Sequence, residues 1–106
     1  MSVVEVLKRV RARLDDPKHW TQGAFARNKE GHATVARDPM ACSWCLLGAI
    51  EAETQYPERN EIAWMLRIRT SREGYGPDLS VFNDSELTNH TAVLELLDKA
   101  IHEYAE

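Results

Sequence analysis

The run Asp38-Pro39-Met40-Ala41-Cys42-Ser43-Trp44-Cys45-Leu46-Leu47-Gly48-Ala49-Ile50 sets how the rest of the chain is read. Aspartate followed by proline is a helix start: the carboxylate can accept an orphan amide, and proline's fixed φ suits the first helical position. From Met40 to Ile50 the chain is uncharged and apolar almost all round, as a central buried helix should be. Gly48 inside such a helix costs about 1 kcal/mol relative to alanine, and a glycine kept there marks the close approach of another backbone. Trp44 and Gly48, four apart, share one helix face, with Cys45 and Ala49 in the adjacent row.

Amphipathic helices are expected around this centre. Ser2 and Glu5 have the spacing of a capping box, and Val3, Leu7, Val10 and Leu14 follow as one apolar stripe. Asp15-Asp16-Pro17 ends that first helix, because the residue before proline is pushed out of the helical region. Between Lys18 and Arg37 the helical period vanishes. Residues 24–27 and 33–36 can pair as a short hairpin about the turn Asn28-Lys29-Glu30-Gly31. Tyr56-Pro57 opens a third helix that turns Ile62, Met65 and Leu66 inward and ends at Gly74, Gly76 and Pro77. Thr88 or Asn89 caps a last helix carrying Val93, Leu94, Leu96, Leu97, Ala100, Ile101 and Tyr104. The expected fold is mainly α: one domain over residues 1–106, about four helices, and a short β-hairpin between the first two.

Composition narrows the class. At 106 residues, 43% hydrophobic and 28% charged, the chain has a core and a solvated surface without the need of staples. Its apolar runs fall short of the ~20 residues that cross a bilayer. Glu5 interrupts the N-terminal segment where an export signal needs apolar residues. Two cysteines are no disulfide framework. From these features a cytoplasmic protein is expected. The formal charge of −4 hides an asymmetry. Residues 1–40 hold eight Lys/Arg against five acids, net +3, and residues 41–106 hold five against twelve, net −7. Such halves complement each other within the fold or across a dimer. Lys8, Arg9, Arg11 and Arg13 suit the negative end of the first helix, so specific nucleic-acid binding is not expected.

Three constellations are candidates for chemistry. Cys42-Ser-Trp-Cys45 has CxxC spacing, yet no βαβ pattern surrounds it and Cys42 falls about one turn into the expected helix. Zinc would need two of His19, His32, His90 and His102 beside the cysteines, and none of these has the short spacing of a ligand pair. No metal or cofactor is expected. Cys45, His90 and Asn83 or Asp84 supply the residue types of a cysteine nucleophile, a base and its orienting group. Against this, Cys45 lies in the most apolar helix, where burial makes a thiol inert, and Asn83-Asp84 reads as turn and capping chemistry. Trp20, Trp44 and Trp64 read as core residues whose indole N–H groups need acceptors, and the Asn83-Asp84 segment can provide them.

Four ordered segments resemble a known family. They are Trp20-x-Gln22-Gly23-Ala24-Phe25-Ala26-Arg27, Trp44-Cys45-x-x-Gly48-Ala49, Phe82-Asn83-Asp84, and Val93-Leu94-x-x-Leu97-Asp98-x-Ala100-Ile101. Over residues 20 to 102 the chain is similar to small, uncharacterised bacterial and bacteriophage proteins that share a domain of unknown function. Phe82 stands where that pattern has tryptophan and Asn89 where it has threonine; Cys42 lies outside it. The resemblance implies membership and brings no established activity, although a phage-borne modulator of host defence fits it by analogy. The expected function is non-enzymatic: binding of a protein partner, or self-association, through an acidic helical face of Glu51, Glu53, Glu58, Glu61, Glu95, Asp98, Glu103 and Glu106. The alternative is a cysteine-dependent enzyme built on Cys45, His90 and Asn83/Asp84.

Overall fold

Ser2 starts helix α1 (Val3–Arg13) by accepting the Glu5 amide on its hydroxyl at 3.2 Å. The stripe that follows buries Val6, Leu7 and Val10, with Leu14 just beyond the helix. Asn89 likewise starts the last helix, α5 (His90–Tyr104), accepting the Ala92 amide at 2.8 Å. In the computed structural model, which describes residues 2–76 and 78–105, these two helices lie against each other. Val93, Leu96, Leu97 and Ala100 of α5 close the core from that side.

Five α-helices and a three-stranded antiparallel sheet are found among the described residues. The hairpin expected at residues 24–36 is strands β1 (Ala26–Asn28) and β2 (Ala33–Thr34). Asn28 shapes its turn: Oδ1 accepts the amides of Glu30 and His32, at 3.1 and 3.0 Å, and Gly31 takes φ +83°. The third strand, β3 (Ala41–Trp44), pairs with the other edge of β1, with Ala26 opposite Trp44 and Arg27 opposite Ser43.

Strand β3 corrects the helix expected from Pro39. The cause is the chemistry of Asp38. Its Oδ1 accepts the Met40 amide at 2.9 Å and its carbonyl accepts the Ala41 amide at 2.9 Å, which closes a turn. An aspartate makes the same side-chain bond, two residues on, in a turn as at a helix cap. The residues after the turn find backbone partners on β1 instead of on one another. The helix α2 (Leu46–Glu53) begins only at Cys45, its N-cap.

Helix α2 is the middle of the core, in contact with α1, α3 (Glu58–Arg72) and α4 (Leu79–Asp84). The last of these is an additional helix. Asp78 starts it by accepting the Ser80 amide at 2.9 Å, so Asn83 and Asp84 end a helix instead of forming a turn. Of the expected end of α3, Pro77 lies outside the described residues.

The charge asymmetry is met in part within the fold. Arg11 bonds Asp98 at 2.7 Å and Arg13 bonds Glu53 at 2.6 Å, each joining the basic half to the acidic one.

Candidate functional site

The Asn83 side chain, fully buried at the end of α4, is the hub where three of the four motif segments meet. Its Oδ1 accepts two N–H groups, the Trp20 indole at 2.8 Å and the Leu46 amide at 2.9 Å. Its Nδ2 donates to the Thr21 carbonyl at 3.1 Å and to Asp84 Oδ1 at 2.8 Å. A carboxamide has two acceptor positions and two donor hydrogens, so every one is used. Two N–H groups converging on one atom also fix which end of the amide is oxygen.

The same segments are tied twice more. Gln22 donates to the Asn83 carbonyl at 2.9 Å, and the Gly23 amide donates to Asp84 Oδ1 at 3.0 Å, with Gly23 at φ +81°. Arg27 grips the loop with three bonds, to Thr21 Oγ1, the Gln22 carbonyl and the Gly31 carbonyl. The sequence pointed to the Asn83-Asp84 segment as an indole acceptor, and Asn83 fills that role for Trp20. The Trp44 indole uses another acceptor, the Ala36 carbonyl at 3.0 Å, while the Arg13 guanidinium lies 4.5 Å from its ring centre.

Cys45 occupies the N-terminus of α2 and is 5% exposed. Its amide donates to the Phe25 carbonyl at 3.1 Å, and its Sγ accepts the Gly48 amide at 3.2 Å. Burial pushes the thiol pKa up, the amides of Gly48 and Leu47 oppose this, and the charges of Asp84 and Glu51 add to it. Gly48 meets the close approach of another backbone expected from its place in the helix: a Cβ there would lie 2.0 Å from the carbonyl oxygen of Phe25, the residue before β1.

Of the proposed trio, the structure brings two members to one place. Cys45 and Asp84 line a cavity of about 230 Å³ together with Gly23, Ala24, Phe25 and Ser80. Asn83 is adjacent, with its amide fully engaged. His90 is not in that lining; its Nε2 lies 2.5 Å from the Leu14 carbonyl and its ring is 6.3 Å from Trp20. Cys42 is exposed on β3. Three residues of extended chain span roughly 10 Å, beyond the ~7 Å at which two cysteine Cα atoms can be bridged. Among the described residues, no three His, Cys, Asp or Glu side chains cluster as a metal set.

Sequence reasoning missed the outer face of α3. Trp64, expected in the core, is 57% exposed. It borders a groove of about 560 Å³ whose apolar lining is Leu47, Ala63 and Leu79 and whose charged lining includes Arg59 and Arg67. The signal was present. Trp64 is two positions from both Ile62 and Leu66, roughly 200° around the helix, which puts it opposite the buried stripe. Four of the eight acids expected to form a binding face are ion-paired instead: Glu51 with Arg59, Glu53 with Arg13, Asp98 with Arg11, and Glu103 with Arg69. Glu106 lies outside the described residues.

Comparison with known proteins bears on what this arrangement is for. The family of unknown function DUF6197 matches residues 1–103. The chain belongs to DUF6197. No curated protein and no solved structure matches it. The uncharacterised family implied by the four motifs is thereby shown, and the match extends over α1 as well. In this DUF6197 chain Trp20, Gly23, Cys45, Asn83 and Asp84 hold the loop before β1 to α2 and α4, Gly48 lets the Phe25 backbone approach α2, and Trp44 bonds the Ala36 carbonyl. Among the described residues no helix is long and apolar enough to cross a membrane.

Proposed function

We propose that this DUF6197 protein acts by binding another protein, not by catalysis, and that the contact surface is the groove beside Trp64. The observation that carries this reading is the exposure of Trp64 over a partly apolar groove between α2, α3 and the start of α4. An indole left in water forgoes most of the gain of its burial, and tryptophan is the residue most enriched among those that dominate interface energies. The ion pairs of Glu51, Glu53, Asp98 and Glu103 weaken the case for an acidic face as the contact. The bacterial or bacteriophage setting implied by the motifs, and the cytoplasmic one expected from composition, are compatible with such a role.

A photo-reactive phenylalanine analogue installed at position 64 tests this in cells that naturally make the protein. The expected result is one discrete adduct, suppressed by excess wild-type protein and not by a Trp64→Ala variant. The same analogue at position 99, an exposed site on α5, should give none. Equal labelling from both positions, or none from position 64, overturns the proposal. A thiol enzyme is the second reading, favoured by the cavity that Cys45 shares with Asp84. Rapid alkylation of Cys45 in the folded protein would support it.

A further inference from the structure

We infer that the partner segment held beside Trp64 is a short acidic peptide with an apolar side chain near its middle. This inference rests on the binding role proposed above and concerns the chemistry of the same surface. The chain has nine arginines. Arg11, Arg13, Arg59 and Arg69 are paired with carboxylates. Arg27 is spent on Thr21 and on backbone carbonyls, and Arg37 on the Thr54 carbonyl. Among the described residues, Arg9, Arg67 and Arg72 have no carboxylate or hydrogen-bond acceptor. Two of these three lie beside Trp64. Trp64 and Arg67 line both the 560 Å³ groove and an adjoining cavity of about 330 Å³ that reaches Arg72.

The two hollows form one strip from Asn60 to Arg72, about 18 Å of helix at 1.5 Å per residue. Extended peptide rises roughly 3.3 Å per residue, so the strip takes about five or six residues. Its floor of Leu47, Ala63 and Leu79 with the Trp64 ring accepts an apolar side chain, and the two guanidinium groups accept carboxylates to one side. A nucleic acid fits less well. Two unpaired arginines neutralise few phosphates, the groove also carries Asp78, and the whole chain is at −4. A second copy of the chain would have to offer an acidic segment of its own.

The test uses a fluorescein-labelled hexapeptide of aspartates and glutamates around one leucine. The controls are the same peptide with asparagine and glutamine in place of the acids, and labelled oligothymidylate. Fluorescence polarisation should show saturable binding of the acidic peptide that weakens with added salt. Arg67→Glu with Arg72→Glu should weaken it about tenfold or more, and Trp64→Ala should also weaken it. Lys99→Glu should leave it unchanged, and thermal melts should show each variant folded. Equal binding of the neutral peptide, or tighter binding of oligothymidylate, overturns the inference. So does sedimentation showing that Trp64 mediates self-association. If no peptide binds while the position-64 adduct still forms, the acidic chemistry is wrong and the binding role stands. Loss of the adduct as well removes both.

Discussion

Replacing Gly48 with alanine adds one methyl group to a helix, and in an exposed helix it would stabilise by about 1 kcal/mol. Here the new Cβ would lie 2.0 Å from the Phe25 carbonyl oxygen, 2.8 Å from its carbon and 3.3 Å from Phe25 Cα. These are backbone atoms, so no rotamer change relieves the clash. The Phe25 segment and the helix must part by more than an ångström, and the bond from the Cys45 amide to the Phe25 carbonyl is the first to go. Overpacking a tight contact costs about 1–3 kcal/mol, and leaving a buried polar group unpaired costs about 1–3 more. Subtracting the propensity gain leaves a net loss of about 1–5 kcal/mol. In a domain of ~100 residues that lowers the melting temperature by roughly 5–25 °C. Urea and thermal denaturation followed by circular dichroism measure both quantities. An alanine variant as stable as wild type, or more so, would refute the reasoning, because the helix would then be free of the Phe25 backbone.

Asn83→Ala should cost about 2–4 kcal/mol in urea denaturation, because it strips the acceptor from both the Trp20 indole and the Leu46 amide. Iodoacetamide at neutral pH should modify the exposed Cys42 well before the buried Cys45, as read by mass spectrometry of timed samples. Because burial raises the Cys45 pKa in the folded state, the folded protein holds that proton more tightly than the unfolded chain. Stability should therefore fall as pH climbs above the free-thiol value of about 8.5, and Cys45→Ala should flatten that fall in pH-dependent melts. Trp64→Ala should change stability by no more than about 1 kcal/mol, since most of the ring is already in water; a larger loss would mean that Trp64 is part of the core.

Where the sequence was informative, local chemistry and long-range packing agreed. Ser2 caps the first helix as expected, Asn89 is the one of Thr88 and Asn89 that caps the last, and the stripes behind them are buried. The reading failed at Asp38, where a turn and a helix start use the same side-chain bond. The uncharged residues that follow have no period to separate strand from helix. Pairing with β1, a matter of distant partners, decided it. The short helix α4 was illegible for a similar reason, since six residues are too few to show a period. At the site, the need of an indole for an acceptor was legible, and so was the constraint on Gly48. The separation of His90 from Cys45 and the outward turn of Trp64 depended on how helices pack, although the spacing of Trp64 from Ile62 and Leu66 did carry the second.

The Leu46 amide, at the first turn of α2, is satisfied by a side chain 37 positions later, and the Trp20 indole by the same atom 63 positions later. The central helix therefore lacks part of its cap until α4 has docked, and the Trp20 indole has no acceptor until the same helix is in place. Such an arrangement couples segments that are remote along the chain into one cooperative unit. In hydrogen exchange the protons of the Trp20 indole and the amides of Gly23 and Leu46 would be released by a shared opening, not by three independent local ones. Fragments that end before residue 83 would carry the residues of α2 without the group that completes its first turn.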